Sequence, residues 1–217
     1  MNTSRIAPTL ALIATVGALI AAAPPIGNPP ADTLGLRLVK NETWPAPNAV
    51  LQSGTLSFTG HSTVGDFVGT TTAVSGGVTG NAELANASGW VEATVTTLST
   101  GNRLRDRDLR ATMDVVKYPT MRFELAGVTV ESPSATSDTV TGTLRGALTI
   151  HGVTRDIAIP ATLIAAADTI DVSGAFPVDL ADYKVGGLTR LFGTLRVRRN
   201  IDVRFRVRFQ ATPNTPT

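Results

Sequence analysis

Histidine, which often serves as a metal ligand or general base, occurs at only two positions, His61 and His151. A zinc site needs three or four ligands, and no cluster of His, Asp and Glu with ligand spacing surrounds either position. The context of His151, Ile-His-Gly-Val, is typical of a hairpin turn. Cysteine is absent, which excludes disulfides and thiolate chemistry. We therefore predict surface or turn histidines, no metal site and no cofactor.

Signatures of catalysis are weak. A Ser-His-Asp triad can be assembled from distant parts of a chain, so a hydrolase or isomerase that uses one of the histidines stays open. The strand-to-helix elbow G-x-S-x-G is absent. The glycine pairs Gly76-Gly77 and Gly186-Gly187 lack the helix and lysine that follow a phosphate-binding loop. We expect a protein that binds a ligand without catalysing a reaction.

Arg105 and Asp106 form a pair of adjacent charged residues near a predicted helix start. In one interpretation, Asp106 caps the helix and Arg105 fastens it to the rim of the sheet by hydrogen bonds. In the other, Arg105 meets the head group of a ligand. We favour the first interpretation, because capping is a common role of Asp at such a position.

The C-terminal part of the chain is basic, with six arginines and one aspartate in residues 195–210. Phe205 and Phe209 lie among these arginines, but strict alternation places them on the opposite face of a strand. Bases could not stack beside the arginines, so we expect no nucleic-acid binding. A solvated outer face paired with carboxylates is the simpler interpretation, and contact with an anionic membrane surface is the alternative.

The elements that must position these residues are strands. Short apolar and polar alternations, separated by glycine-rich turns, begin at about residue 34 and indicate an all-β fold. The clearest alternation places five apolar residues on one face: Ile201, Val203, Phe205, Val207 and Phe209. About eight such strands bury their apolar faces on one another most simply by closing into an antiparallel barrel, which also removes the sheet edges.

One segment departs from the strand pattern. Leu109, Met113 and Val116 fall at helical spacing, Asn102 can cap the start, and Pro119 ends the segment. We predict one short helix near residues 104–116 that closes or plugs one end of the barrel.

The N-terminal residues have the features of an export signal. Arg5 precedes an uncharged apolar stretch that ends in Ala21-Ala22-Ala23. We expect residues 1–23 to be a cleaved signal peptide or a retained anchor, and 24–33 to be a proline-rich tether. Both alternatives place the protein outside the cytoplasm. Residues 211–217 are expected to form a flexible tail.

Three co-ordered stretches carry a family resemblance. Residues 98–109 and 117–123 read LSTGNRLRDRDL and KYPTMRF, residues 142–155 read GTLRGALTIHGVTR, and Ser62, Phe67 and Gly69 fit a looser entry strand. These stretches resemble the YceI-like family of periplasmic lipid-binding proteins. The resemblance implies that residues 34–210 form a lipocalin-like barrel whose long apolar pocket binds a polyisoprenoid or related amphiphile in the cell envelope. The short segment 183–190 and the arginine-rich last strand depart from the family pattern.

Eleven apolar residues have the phase expected for the barrel interior and are the candidate ligand-binding residues: Phe58, Val91, Val95, Phe123, Leu125, Leu148, Ile150, Phe176, Val203, Phe205 and Val207. Each could line a pocket or fill a core. A hollow barrel predicts a carrier for an apolar lipid, an isoprenoid or fatty amphiphile. A filled barrel would favour a structural or stress-response envelope module that acts through its outer surface.

Overall fold

The computed structural model describes residues 48–80, 84–133, 139–166, 168–186, 189–190 and 195–212. Strands dominate this part of the chain, as the alternation predicts. The strands are β1 (Asn48–Ser62), β2 (Phe67–Thr71), β3 (Val74–Thr79), β4 (Ser88–Thr94), β5 (Thr120–Pro133), β6 (Thr139–Ile150), β7 (Val153–Ala166), β8 (Thr169–Asp179), β9 (Thr189–Arg190) and β10 (Leu195–Ala211). The α-helix of the described part is α1 (Arg103–Thr112).

The sheet closes on itself through an antiparallel pairing of β1 with β10, from Ala49 opposite Ala211 to Ser62 opposite Val197. On its other edge, β1 pairs with β3 near its start and with β2 further along. Only two residues separate β2 from β3, so together they act as one bent strand. The ring then runs through β4, β5, β6, β7 and β8 to β10. The prediction of a closed antiparallel barrel of eight strands is confirmed, and the two-residue β9 pairs beside it with β10.

Strand β10 shows why the sequence closes in this way. Val203, Val207 and Phe209 are buried, whereas Arg204 and its alternating neighbours are exposed. Successive side chains of a strand point to opposite faces of the sheet, so this alternation determines which face of β10 points into the barrel. The arginines therefore lie on the outer surface, as predicted.

Helix α1 begins one residue earlier than expected and ends sooner. The Asn102 side chain accepts hydrogen bonds from the backbone N–H groups of Leu104 and Arg105, which confirms it as the cap. Met113 follows the helix as its C-cap and packs into the core. Val116, which was expected to lie within the helix, lies beyond its end, and its side chain is 94% exposed. The helix stops at Thr112 and Asp114 adopts a left-handed backbone conformation, so Val116 leaves the helical face.

The connections between strands lie at the two ends of the barrel. One end, which we call the mouth end, carries the β1–β2 loop (63–66), the segment 95–119 with α1, the His151-Gly152 turn and the 3₁₀ turn Leu180–Tyr183. At the far end lie the 3₁₀ turn Leu84–Asn86 and the first and last described residues of the barrel. There the Thr212 N–H donates to the Asn48 carbonyl at 3.0 Å.

The expected N-terminal signal or anchor (1–23) and tether (24–33) lie outside the described residues. Residues 34–47, the first part of the predicted barrel domain (34–210), also lie outside them. At the other terminus, strand β10 continues through Ala211, and residues 213–217 of the expected tail lie outside the described part. Within the described residues, no helix is long and apolar enough to cross a membrane.

Candidate ligand-binding cavity

The barrel interior contains a cavity of about 650 Å³. Its wall is built from inward-facing side chains of the barrel strands, and most of these are aliphatic or aromatic. Ligand pockets typically occupy about 300–1,000 Å³ and are mostly apolar. The interior is therefore large enough for a small ligand and offers mainly hydrophobic contact.

Ten of the eleven predicted interior residues line this cavity: Phe58, Val91, Phe123, Leu125, Leu148, Ile150, Phe176, Val203, Phe205 and Val207. The period-two pattern brings them together because each strand turns alternate residues to the same side. Sequence reasoning left out of this set further wall residues such as Leu144, Leu163 and Val172, although the same alternation could have included them.

Val95 is the exception among the predicted residues. Strand β4 ends at Thr94, and Val95 starts a 3₁₀ turn, so the alternation no longer sets its direction. Its side chain is 0% exposed, packs in the core with Leu98 and Met113, and is not among the residues that line the cavity. Val95 thus supports the mouth end from within the core.

Aromatic rings of the wall occupy the space above glycines on neighbouring strands. Phe58 lies opposite Gly69, and Phe67 lies opposite Gly60. A Cβ atom added to Gly69 would come within 2.2 Å of the Phe58 ring, and one added to Gly60 within 2.5 Å of the Phe67 ring. Larger residues at the glycines would push the rings from these positions.

The same arrangement recurs elsewhere in the barrel. Phe205 pairs with Gly174, where an added Cβ would lie 2.8 Å from the ring. A Cβ added to Gly146, which lies diagonally across from Phe123, would also come within 2.8 Å of the Phe123 ring. Glycines on neighbouring strands thus let four rings lie against the sheet. This contact requires knowledge of strand register, so the sequence pattern did not predict it.

At the far end the cavity wall is buried. Ala87, Val128, Ile170 and Phe209 line the cavity and are shielded from solvent. The 3₁₀ turn Leu84–Asn86 packs closely on β5 here, since a Cβ added to Gly127 would lie 2.4 Å from the Ala85 carbonyl oxygen. This end therefore holds a packed apolar floor.

At the mouth end, wall residues reach solvent. Val64 and Leu104 line the cavity and are 78% and 64% exposed. Arg105, Arg107 and Arg198 line the same region. The cavity therefore opens at this end, between the β1–β2 loop, α1 and the start of β10, and its rim combines apolar and cationic side chains.

Asp106 fastens the helix at this rim. Its carboxylate accepts hydrogen bonds from the Thr100 N–H at 2.7 Å, the Thr100 hydroxyl at 2.6 Å and the Ser99 hydroxyl at 3.1 Å. Burial raises the pKa of Asp106, but the hydrogen bonds from Thr100 and Ser99 together outweigh burial, so that pKa lies below its ordinary value. Asp106 is therefore an anchor of the preceding turn, whereas Asn102 is the cap.

Arg105 takes a position that the favoured sequence interpretation did not anticipate. Its guanidinium carbon lies 4.3 Å from the centroid of the Phe67 ring, over the ring face. Phe67 in turn meets Phe58 edge to face, with centroids 6.1 Å apart. The side chain thus lies at the cavity mouth, on an aromatic pair that leads into the wall.

The two histidines are held by different partners. The His61 ring lies between Asp66, at 3.0 Å from Nδ1, and Asp202, at 3.2 Å from Nε2. Hydrogen bonds to Asp66 and then Asp202 raise the pKa of His61 above its ordinary value. His151 has a positive φ in the tight turn between β6 and β7, as the sequence predicts, and packs on Tyr118. Among the described residues, no group of three His, Asp or Glu side chains is arranged to hold a metal ion.

The outer arginines of β10 meet carboxylates of the neighbouring strand. Arg208 donates two hydrogen bonds of 2.7 Å to Asp171, and Arg199 lies 3.1 Å from Asp179. The hydrogen bond from Arg208 lowers the pKa of Asp171 below its ordinary value. For these two arginines, the structure agrees with a solvated, ion-paired outer face.

These features define the chain as a closed antiparallel β-barrel with an apolar lumen that, among the described residues, reaches solvent at the mouth end. The family model for the YceI-like domain matches residues 50–209. The chain belongs to the YceI-like family. No curated protein sequence matches the chain.

Solved structures share the fold at low sequence identity. The crystal structure of BcnA from Burkholderia cenocepacia has 17% identity and a TM-score of 0.57, and the match covers 71% of this chain and 95% of that one. A polyisoprenoid-binding domain from Saccharophagus degradans, implicated in plant cell wall breakdown, has 16% identity and a TM-score of 0.62. That match covers 77% of this chain and 99% of the domain. The barrel architecture is therefore shared by proteins of diverged sequence.

Proposed function

We propose that this protein binds a single-chain apolar amphiphile of the polyisoprenoid type in its lumen, as a non-catalytic carrier or sequestering protein. The observation that carries the proposal is the continuous apolar cavity of about 650 Å³, which opens at the mouth and ends on a packed floor. Family membership supports it, as does the similarity to a domain described as polyisoprenoid-binding.

The predicted wall residues explain how such a ligand would be held. Each buried methylene contributes about 0.8 kcal/mol, so a long hydrocarbon chain would bind with few polar contacts. Phe58, Phe123, Phe176 and Phe205 supply broad apolar contact along the wall. Affinity would follow chain length more than chain type.

The alternative function is that of a structural or stress-response envelope module that acts through its outer surface. Such a module would have a barrel filled with side chains, and the cavity in this barrel favours the carrier function over it. We propose an additional contact with an anionic membrane surface only for those outer arginines of β10, such as Arg204, that have no carboxylate partner among the described residues.

Export is part of the proposal. The uncharged apolar stretch after Arg5 and the small residues at its end support a secretory signal or an anchor. Cell fractionation followed by N-terminal sequencing of the purified protein tests this point. We expect the protein in the periplasm, envelope or medium; recovery in the cytoplasm alone would contradict it.

The experiment that tests the binding function is organic extraction of the purified protein followed by mass spectrometry. We expect a long-chain amphiphile at close to one molecule per barrel. The variant Ala93→Trp, which places a large side chain in the lumen, is the matched control and should carry none. A protein that yields no lipid and takes up no added long-chain amphiphile would refute the proposal.

A further inference from the structure

The mouth end carries the most exposed large apolar side chains of the described residues. Val116, Val64 and Leu104 are 94%, 78% and 64% exposed, and they lie after α1, on the β1–β2 loop and in the first turn of α1. Single exposed apolar residues are normal on a protein surface. Three at the same end of the barrel indicate a surface that can meet an apolar partner.

Two of the three side chains stand at the rim of the lumen, since Val64 and Leu104 line the cavity. The Ser62 hydroxyl donates to the Gly65 carbonyl at 2.6 Å, and the Gly65 N–H donates back to the Ser62 carbonyl, so the loop that carries Val64 is a closed turn. The Asn102 side chain likewise fixes the backbone of Leu104. The two apolar side chains therefore project from an ordered rim.

Cations surround these two side chains. Arg105 and Arg198 line the cavity mouth. Arg103 is exposed beside Leu104 at the start of α1. We call Arg103, Arg105 and Arg198 the rim arginines; none of them has a carboxylate partner among the residues that the structure describes. Positive charge therefore lies next to the apolar side chains of the rim.

The acidic side chains of the mouth end do not cancel this charge. Most of them bind protein groups: Asp66 and Asp202 bind His61, Asp106 binds Ser99 and Thr100, and Asp108 lies 3.6 Å from Arg107. Asp114 and Asp182 are exposed, but neither lines the cavity. Lys117 follows the first and Lys184 the second in the same turns, so these two turns carry no net charge. The rim itself is therefore cationic.

We propose that the mouth end docks on the surface of an anionic lipid bilayer. Val64 and Leu104 enter the boundary between the head groups and the acyl chains, and the rim arginines face the lipid phosphates. The inference rests on the proposed function for its purpose, because docking in this orientation lets an apolar chain pass between the bilayer and the lumen without crossing water.

The arrangement favours a bilayer over a protein partner. Apolar side chains flanked by cations match an anionic membrane interface, where phosphates lie directly above acyl chains. The buried core of a protein interface is instead a packed patch that is depleted in charge. At the mouth, Leu104 lies between Arg103 and Arg105 in the sequence, and the apolar side chains border an opening. A rigid protein surface would leave that opening unfilled, whereas acyl chains can reach into it.

The test uses the full chain and vesicles without added ligand. The chain contains no cysteine, so one introduced cysteine can carry the fluorophore NBD at a chosen position. With vesicles that contain phosphatidylglycerol, labels at Val64→Cys and Leu104→Cys should shift to the blue and be quenched by spin labels on the acyl chains. The label at Val50→Cys should do neither, because Val50 is 53% exposed but lies at the far end. Each label reports only its own surroundings, so attachment of the chain to the bilayer elsewhere cannot mimic the result.

Replacing charges tests the rim arginines. In the labelled Leu104→Cys protein, Arg103→Gln and Arg198→Gln together should raise the lipid concentration at half-maximal blue shift about 20-fold, since each basic residue near an anionic surface contributes roughly a factor of five. Arg145→Gln removes an exposed cation from the outer face of β6 and is the matched control, which should leave that concentration unchanged. Vesicles of phosphatidylcholine alone, or added salt, should weaken docking as the arginine replacements do.

Absence of a blue shift at Val64 and Leu104, or an equal shift at Val50, would overturn the docking inference, and so would equal docking on vesicles with and without phosphatidylglycerol. Docking that is lost in Arg204→Gln but kept when the rim arginines are replaced would assign the contact to the outer face of β10 and overturn it too. These outcomes leave the carrier function intact. A protein that docks but neither carries nor takes up a lipid would refute the carrier function alone. All substituted side chains are exposed, so each variant should melt like the wild type, and either labelled position decides if the other does not fold.

Discussion

The two ends of the lumen are built from the same strands but differ in packing and charge. At the far end, Phe209 and Val128 are buried with the rest of the apolar floor. At the mouth end, Leu104 and Val64 line the lumen yet reach solvent, and Arg105 borders them. The difference indicates a division between the two ends: the floor belongs to the packed core, whereas the mouth leaves apolar side chains in contact with solvent.

The largest effect that sharpens this comparison is expected from truncation at the floor. Phe209→Ala removes a buried ring and should lower the free energy of unfolding by about 3–5 kcal/mol. Leu104→Ala, the matched truncation at the mouth, should change it by less than about 0.5 kcal/mol, because this side chain is 64% exposed. Chemical denaturation measures both. Similar losses at the two positions would contradict the proposed division.

Filling the lumen between the two ends should weaken ligand binding far more than it destabilises the folded protein. Ala93 is buried on β4 and faces the cavity, so Ala93→Trp would displace roughly four methylenes of a ligand. At about 0.8 kcal/mol each, affinity should fall about 100-fold or more. Titration with a long-chain alcohol measures the change. Ser75→Trp adds the same bulk on the exposed outer face of the adjacent strand and should bind normally; weakened binding there too would argue against a luminal site.

Detaching the helix at the mouth should have an intermediate effect on stability. Asp106→Ala removes a buried carboxylate together with its bonds from Ser99 and Thr100, at a cost of about 2–3 kcal/mol. Because the folded-state pKa of Asp106 is lowered, its contribution is present above the unfolded pKa and is lost as pH falls through the folded value. The difference between wild type and variant should therefore shrink in acid. The exposed Asp156 supplies the control Asp156→Ala, for which little change in the free energy of unfolding is expected.

The smallest effect concerns His61, which joins the β1–β2 loop to β10 at the mouth. Protonated His61 can donate to Asp66 and Asp202 at once, whereas the neutral ring has one N–H. The raised pKa means that this stabilisation is present below the unfolded pKa of about 6.5 and is lost as pH rises through the folded value. An NMR titration should give a pKa above 6.5 that falls in Asp66→Asn. An unchanged pKa in that variant would show that Asp66 does not bind the ring in solution.

Much of the fold is encoded in local patterns. The alternation of β10 predicts which side chains point inward, and the Asn102 and Pro119 signals predict a helix between them. The same logic fails where backbone geometry changes. Val95 leaves the strand phase because a 3₁₀ turn begins there, and Val116 leaves the helix because the chain turns after Thr112.

The site was only partly predictable, because its decisive contacts join residues distant in sequence. The alternation along the strands identifies ten wall residues. The contact of the Phe58 ring with Gly69, in contrast, depends on how strands β1 and β2 are aligned. Likewise, Arg105 reaches Phe67 across 38 positions of sequence, and only the closed barrel brings them together. A local pattern could identify a basic residue near a helix start, but could not place it at a cavity mouth.

The most direct test of the hollow-barrel account is calorimetric titration of the delipidated protein with geranylgeraniol at several temperatures. The account predicts saturable binding at one site per chain with a negative heat-capacity change, because apolar surface leaves water when the chain enters the lumen. Absence of saturable binding, or binding with no heat-capacity change, would contradict it.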